Sequence, residues 1–202
     1  EALGAEVITI GCDPNGININ DNIGSTHPEL LQKTVVESGA DIGMAYDGDA
    51  DRLLVIDELG NLIDGDKIML ICAEYLKEIG MLNKNTLVTT VMTNLGLVLA
   101  AKEKGINIVQ TNVGDRYVLE EMLKSGYSLG GEQSGHIIIK KYATTGDGIL
   151  TSLKVMEVML EKKAKLSELA KPVVIYPQLL VNVRVHDKTT AQGDPDVQAA
   201  VK

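Results

Sequence analysis

Asp47, Asp49 and Asp51 stand on alternate positions in MAYDGDADRLLVID, between two apolar runs, with Arg52 directly after them. Like charges this close repel and raise one another's pKa, so the spacing asks for a compensating cation. Oxygen ligands without His or Cys favour a hard cation, and Mg2+ suits because it keeps positions open for phosphate oxygens. Arg52 beside it can clamp the same phosphate. The chemistry that such a group serves is phosphoryl transfer, where charge neutralisation and positioning carry most of the catalysis.

Simpler readings compete. Three Asp in a loop can be a solvated turn, but this loop follows a predicted strand, where open α/β sheets place their ligands. Counted from Asp47, the spacing partly fits an EF-hand with Glu58 last, yet Arg52 occupies the position that must be Gly, and strands flank the loop. A haloacid-dehalogenase-type phosphatase also opens Asp-x-Asp, usually with Thr or Val where Asp51 stands. A glycosyltransferase Asp-x-Asp stays open.

Two further loops carry candidate chemistry. GGEQSGH sets Glu132, Ser134 and His136 between glycines. Glycines admit a ligand close to the backbone, Glu and Ser suit sugar hydroxyls, and His suits proton transfer near neutral pH. A tight turn with an incidental His is the plainer alternative, and the glycine spacing is not a dinucleotide fingerprint. NVGDRYV puts Arg116 at a predicted helix start, a natural anion site; the alternative is a cap by Asp115 with a surface Arg. TTGDGI opens another helix, and EKKAK reads as a solvated helix end. His27 and His186 have no evident partner.

The elements that must position these loops alternate. EVITI, DIGMAY, TLVTTVM, INIVQT and HIIIKKY read as strands; THPELLQKTVVESG, KIMLICAEYLKEI, LGLVLAAKEK, DRYVLEEMLKSG and TTGDGILTSLKVMEVMLEKK read as helices with Gly stops. LLVIDELGNLI reads as a hairpin turning at Gly60–Asn61, and VVIYPQ and LLVNVRV as late strands. This alternation predicts two consecutive three-layer α/β units with mostly parallel, mixed sheets. The expected units are 1–85 and 86–170, joined at Asn83-Lys84-Asn85, with 171–202 opening a third. EALG reads as a helix end and DVQAAVK as a helix start, so a piece of a longer protein is expected. Apolar residues make up 45 % of the chain without Trp or Phe, an aliphatic core suited to buried strands under helices. Net charge −9 argues against a nucleic-acid partner. No apolar run approaches the ~20 residues that span a bilayer, so no membrane role is expected. Two distant cysteines suit a reducing cytoplasm.

DGDADR, VGDRYV and GEQSGH, in this order and with TTGDGILTSL and YPQLLVNVRV after them, resemble the α-D-phosphohexomutase family over almost the whole chain. The resemblance implies four domains around one cleft, with residues 1–85 as most of domain 2, 86–170 as domain 3, and 171–202 as the linker and start of domain 4. It implies Mg2+ on Asp47, Asp49 and Asp51, Arg52 at the reacting phosphate, and Glu132 and Ser134 on ring hydroxyls. His136 becomes a possible proton carrier. The implied reaction moves phosphate between O6 and O1 of a hexose phosphate, here glucosamine phosphate, through a bisphosphate; phosphomannomutase and phosphoglucomutase activities, or a non-catalytic binding module, are the alternatives. The family's phosphoserine loop (TASHNP-type, domain 1) and phosphate loop (RPSGTEP-type, domain 4) are not in this sequence, so domains 1 and 4 would be partners and these residues alone are expected to be inactive. Asn112 stands where many relatives carry Lys.

Overall fold

The computed structural model describes residues 2–180, 184–185 and 187–201. Helix α1 (Glu29–Ser38) starts after Pro28 and ends at Gly39, which takes φ 69° and donates its N–H to the Val35 carbonyl. Buried Val35 lies close on strand β1 (Ile42–Tyr46) because Gly43 has no side chain; a Cβ there would stand 2.6 Å from Val35 Cγ2. β2 (Leu53–Asp57) and β3 (Leu62–Ile63) complete a sheet of order β1-β2-β3, antiparallel throughout, with Tyr46 opposite Leu53 and Ile42 opposite Asp57. The parallel character expected of this first unit is therefore absent among the described residues. The cause is chain length: 47–52 and 58–61 can only turn back, whereas a parallel neighbour needs a crossover of about a dozen residues or more. Asp57 fixes the second turn, its carboxylate accepting from the N–H groups of Leu59 and Asn61 and from Asn61 Nδ2.

Helix α2 (Gly65–Glu78) is capped by Asp64, whose side chain accepts from the Lys67 N–H, and is buried along most of its circumference. It packs against α3 (Leu95–Glu103), α5 (Gly148–Lys162) and α6 (Leu166–Ala170). The second sheet runs β5 (Asn107–Thr111), β4 (Thr86–Thr90), β6 (Leu129–Gly131), β7 (Ile137–Ile139). β4 is parallel to β5 and β6, and β7 returns antiparallel. One face of this sheet, through Leu87 and Leu129, meets the α2, α3 and α5 side; the other, through Val88 and Ile138, meets Val118 and Met122 of α4 (Asp115–Ser125). This is the mixed α/β layering that the alternation predicted. The joint at Asn83–Asn85 is a single 3-10 turn, and packing continues across it, since α2 before it and β4, α3 and β6 after it share one core.

Two predicted strands did not form. EVITI has no strand partner among the described residues, with Val7 and Ile8 about half exposed (47 % and 56 %); a strand needs a neighbour's N–H and C=O groups. VVIYPQ is extended but is held by a side chain instead. Asn94, the cap of α3, accepts the Tyr176 N–H at 2.9 Å and donates to the Tyr176 carbonyl at 2.8 Å, imitating a strand edge. The neighbouring carbonyl of Val174 fills the place a Cβ on Gly96 would take. Asn94's own N–H donates to Asp66 Oδ2 at 2.7 Å. LLVNVRV lies partly outside the described residues; 179–180 and 184–185 form no strand, and His186 is not described. Short helices α7 (Lys188–Gly193) and α8 (Pro195–Val201) follow. Among the described residues no helix is long and apolar enough to cross a membrane.

Candidate active site

Extended backbone would space alternate side chains about 7 Å apart, too far for 47, 49 and 51 to share a ligand. The loop is curled instead. Ala50 takes φ 58° and donates its N–H to the Asp47 carbonyl, while Asp47 Oδ1 accepts the Arg52 N–H at 3.2 Å. The result brings one oxygen from each of Asp47, Asp49 and Asp51 within 4.8 Å of one another. Arg52 Nε stands 3.7 Å from Asp47 Oδ2 and 4.0 Å from Asp51 Oδ1. The guanidinium thus pairs with two of the three carboxylates, and Asp51 Oδ1 is buried with no hydrogen-bond partner. An orphaned carboxylate oxygen in an all-oxygen set fits a hard cation. The N-terminus of α5 closes the loop from behind: the Gly148 N–H donates to the Ala50 carbonyl at 2.9 Å, and a Cβ on Gly148 would stand 2.7 Å from the Arg52 carbonyl oxygen. The Tyr46 hydroxyl donates to Ser152 Oγ of α5 at 2.9 Å, while Ser152 donates to the Ile149 carbonyl.

The Glu-Ser-His loop is interlocked with this acidic loop. Leu53 donates its N–H to the Gly135 carbonyl at 3.1 Å, and Arg52 and His136 form an isolated antiparallel bridge. Gly135 takes φ +95°, and a Cβ on it would overlap the Leu53 carbonyl. His136, only 3 % exposed, bonds through Nδ1 to Asp51 Oδ2 at 2.9 Å and through Nε2 to the Gly146 N–H at 2.9 Å. A backbone N–H can only donate, so Nε2 holds the lone pair and the proton of the neutral ring sits on Nδ1, donated to Asp51. Gly146 is required by this packing, because a Cβ there would stand about 2.5 Å from the ring. The base of the loop rests on α2: the Gly65 N–H donates to the Gln133 carbonyl, and Gln133 Nε2 reaches Asp64 Oδ2.

Glu132 is half-buried and its Oε1 accepts the Gly114 N–H at 3.0 Å, which ties the VGDRYV turn to the same loop. Ser134 is exposed, and its hydroxyl has no protein partner among the described residues. Arg116 is not brought to the loop. Its side chain is 82 % exposed and donates through Nε to Glu120 at 2.7 Å, a pairing one helical turn along that also holds its pKa up. Gly114, rather than Asp115, occupies the cap position of α4. Asp115 Oδ2 stands 3.9 Å from His136 Nε2, with the side chain 61 % exposed. Gly146, read only within the TTGDGI helix start, and Gly65 and Asp66 were not singled out as site residues in the sequence. The first two act through backbone N–H groups, and the third looks like an ordinary acidic residue in a helix's first turn.

Three-layer α/β architecture with its polar loops gathered at strand ends is the class to which this geometry assigns the chain. Residues 64–175, more than half of it, match the family described as Phosphoglucomutase/phosphomannomutase, alpha/beta/alpha domain III, and the chain belongs to that family. The match begins at Asp64, the cap of α2. The chain is 59 % identical over 202 residues to a phosphoglucosamine mutase of Lachnoclostridium phytofermentans, with all of it aligned to 45 % of that protein. It is 58 % identical over 200 residues to one of Geobacillus kaustophilus, 99 % of the chain against 44 %. It thus spans less than half the length of these curated relatives. Among solved structures, a phosphoglucomutase/phosphomannomutase family protein from Burkholderia thailandensis aligns with TM-score 0.64 and 29 % identity, over 75 % of this chain and 33 % of that one. An Aspergillus fumigatus N-acetylphosphoglucosamine mutase, solved in complex with GlcNAc-6P and magnesium, shares the fold with TM-score 0.66 at 21 % identity, over 88 % and 44 %.

Proposed function

We propose that this chain supplies the metal loop and the sugar loop of a phosphohexomutase acting on glucosamine phosphate, moving a phosphoryl group between O6 and O1 through a bisphosphate. The observation that carries the reading is the interlock of the two loops. With Leu53 bonded to Gly135 and Asp51 to His136, a phosphate at the acidic loop and a sugar at Glu132 and Ser134 can belong to one molecule. The 58–59 % identity to phosphoglucosamine mutases supports the amino sugar. Residues 1–85 form the metal part and 86–170 the sugar part in this reading.

Asp47, Asp49 and Asp51 hold Mg2+, which when bound supplies charge neutralisation at the reacting phosphoryl group. Arg52 clamps that group, while Glu132 and Ser134 orient the ring through its hydroxyls. His136 holds Asp51 in place; it takes up a proton at a sugar oxygen only when Nε2 gives up the Gly146 N–H. Arg116 reaches a phosphate only by leaving Glu120. The family's phosphoserine donor is not among residues 1–202, so these residues by themselves bind and do not turn over. A reducing cytoplasm suits the buried free thiol of Cys72, which burial pushes up to about 12. Calorimetric titration of Mg2+ into the chain and its Asp49→Asn variant tests the metal assignment. Loss of most of the heat in the variant is expected; equal heats would overturn it.

A further inference from the structure

We propose that Asp115 reads the 2-ammonium group of an amino-sugar phosphate and so separates glucosamine phosphate from glucose phosphate; this rests on the Glu132–Ser134 loop being the sugar site. The two sugars present the same hydroxyls except at C2, where one carries a neutral hydroxyl and the other an ammonium. Glu132 and Ser134 can bond hydroxyls of either. Discrimination by charge needs a carboxylate with a free oxygen beside that loop.

Asp115 meets this requirement in three respects. First, its backbone is fixed to the sugar loop, because the adjacent Gly114 N–H is held by Glu132 Oε1 at 3.0 Å. Second, its carboxylate is uncompensated. Oδ2 stands 3.9 Å from His136 Nε2, but that nitrogen's lone pair already receives the Gly146 N–H at 2.9 Å, so the ring offers Asp115 no proton. The neighbouring Arg116 is committed to Glu120, and no other Lys or Arg among the described residues pairs with Asp115. Third, the remaining carboxylates are spoken for. Asp47, Asp49 and Asp51 converge on a common point, and Glu132, its Oε1 taken by the Gly114 N–H, has Oε2 given to the ring hydroxyls. An ammonium donating to Asp115 forms a charge-assisted hydrogen bond that a hydroxyl cannot match.

Amide NMR titrations of the chain with Mg2+ present test this, using glucosamine 6-phosphate, glucose 6-phosphate and N-acetylglucosamine 6-phosphate. The expected result is about tenfold tighter binding of the amino sugar over glucose 6-phosphate near pH 6.5, the scale of one charge-assisted bond. That preference should vanish near pH 9, where an amine of this kind is deprotonated, and N-acetylation should abolish it at either pH. Asp115→Asn should bring the two affinities to within about twofold, and Asp115→Glu should restore part of the preference. A wild-type ratio retained in Asp115→Asn would overturn the assignment, as would glucose 6-phosphate binding as tightly as glucosamine 6-phosphate to the wild type. If no hexose phosphate shifts the amides of 132–136, the sugar-site reading itself fails, and the role of Asp115 with it.

Discussion

Gly135→Ala attacks the interlock between the acidic and sugar loops at its tightest point. Two costs can be worked from the geometry. Gly135 takes φ +95°, and placing a Cβ in the left-handed region costs about 1–2 kcal/mol. The new Cβ would also stand 2.9 Å from the Leu53 carbonyl carbon. That atom is backbone and cannot rotate away, so the loops must part. Parting them strands the Leu53 N–H, now bonded to the Gly135 carbonyl at 3.1 Å, at a further cost of about 1–3 kcal/mol. Gly126→Ala is the matched control, since that residue has φ +75° and nothing within 4 Å of its built Cβ. Urea unfolding of the three proteins with a common slope should show Gly126→Ala losing about 1–2 kcal/mol and Gly135→Ala about 2–5 kcal/mol. Only Gly135→Ala should also weaken the Mg2+ heat, because Asp51 is held from the same loop by His136. Equal destabilisation by the two substitutions, with Mg2+ binding untouched in both, would refute the interlock.

Asp66 makes stability fall with pH. Burial pushes its carboxyl up to about 7, and the nearby Asp64 adds to this against the hydrogen bond from Asn94. A raised folded-state value means that the stabilisation is complete below the unfolded pKa of about 4 and is lost as pH climbs to about 7, by at most about 4 kcal/mol. Asp66→Asn should therefore gain on the wild type between about pH 4 and pH 8 in thermal unfolding; a difference independent of pH would count against it. Asn94→Ala should release the 173–178 segment and remove the cap bond to the Gly96 N–H, costing about 1 kcal/mol for the cap alone. Hydrogen exchange at the Tyr176 amide should accelerate, and an unchanged rate would show that the Asn94 clamp does not hold that segment.

What the sequence disclosed depended on whether side chains or backbone did the fixing. Asp64, Asn94 and Asp147 each cap a helix through their own carboxylate or amide, so residue type signals these starts, although α5 begins at Gly148 and not at the Thr144 read from the sequence. Asp47, Asp49 and Asp51 likewise announce a cation by charge and spacing alone. Of the bonds that draw the two loops together, Asp51 to His136 is made by side chains, whereas Leu53 to Gly135, like the Gly65 to Gln133 bond that seats the second loop on α2, runs between backbone groups and leaves only glycines as a trace. Tyr176 was misread for a related reason. An apolar run signals extended chain, but whether a strand or one asparagine satisfies it is a tertiary matter. Arg116 was placed by its position at a helix start, whereas its guanidinium direction was set by Glu120, four residues on.

Helix α5 reaches the acidic loop with its first residue, Gly148, and extends away from it for 15 residues. The aligned peptide dipoles of such a helix place roughly half a positive charge at its N-terminus, partly offset by the Asp147 cap, directly behind carboxylates whose other positive or donating neighbours are Arg52 and His136. This fixed partial charge lowers the mutual repulsion of Asp47, Asp49 and Asp51 without filling any ligand position. It also lowers the field that draws a bare divalent ion and raises the welcome for an anion beside it. The loop is thereby biased towards a metal–phosphate pair over the metal alone. On the proposed reading, Mg2+ affinity measured without a phosphate ligand understates the affinity measured with one, and each of the two strengthens the binding of the other by the same factor.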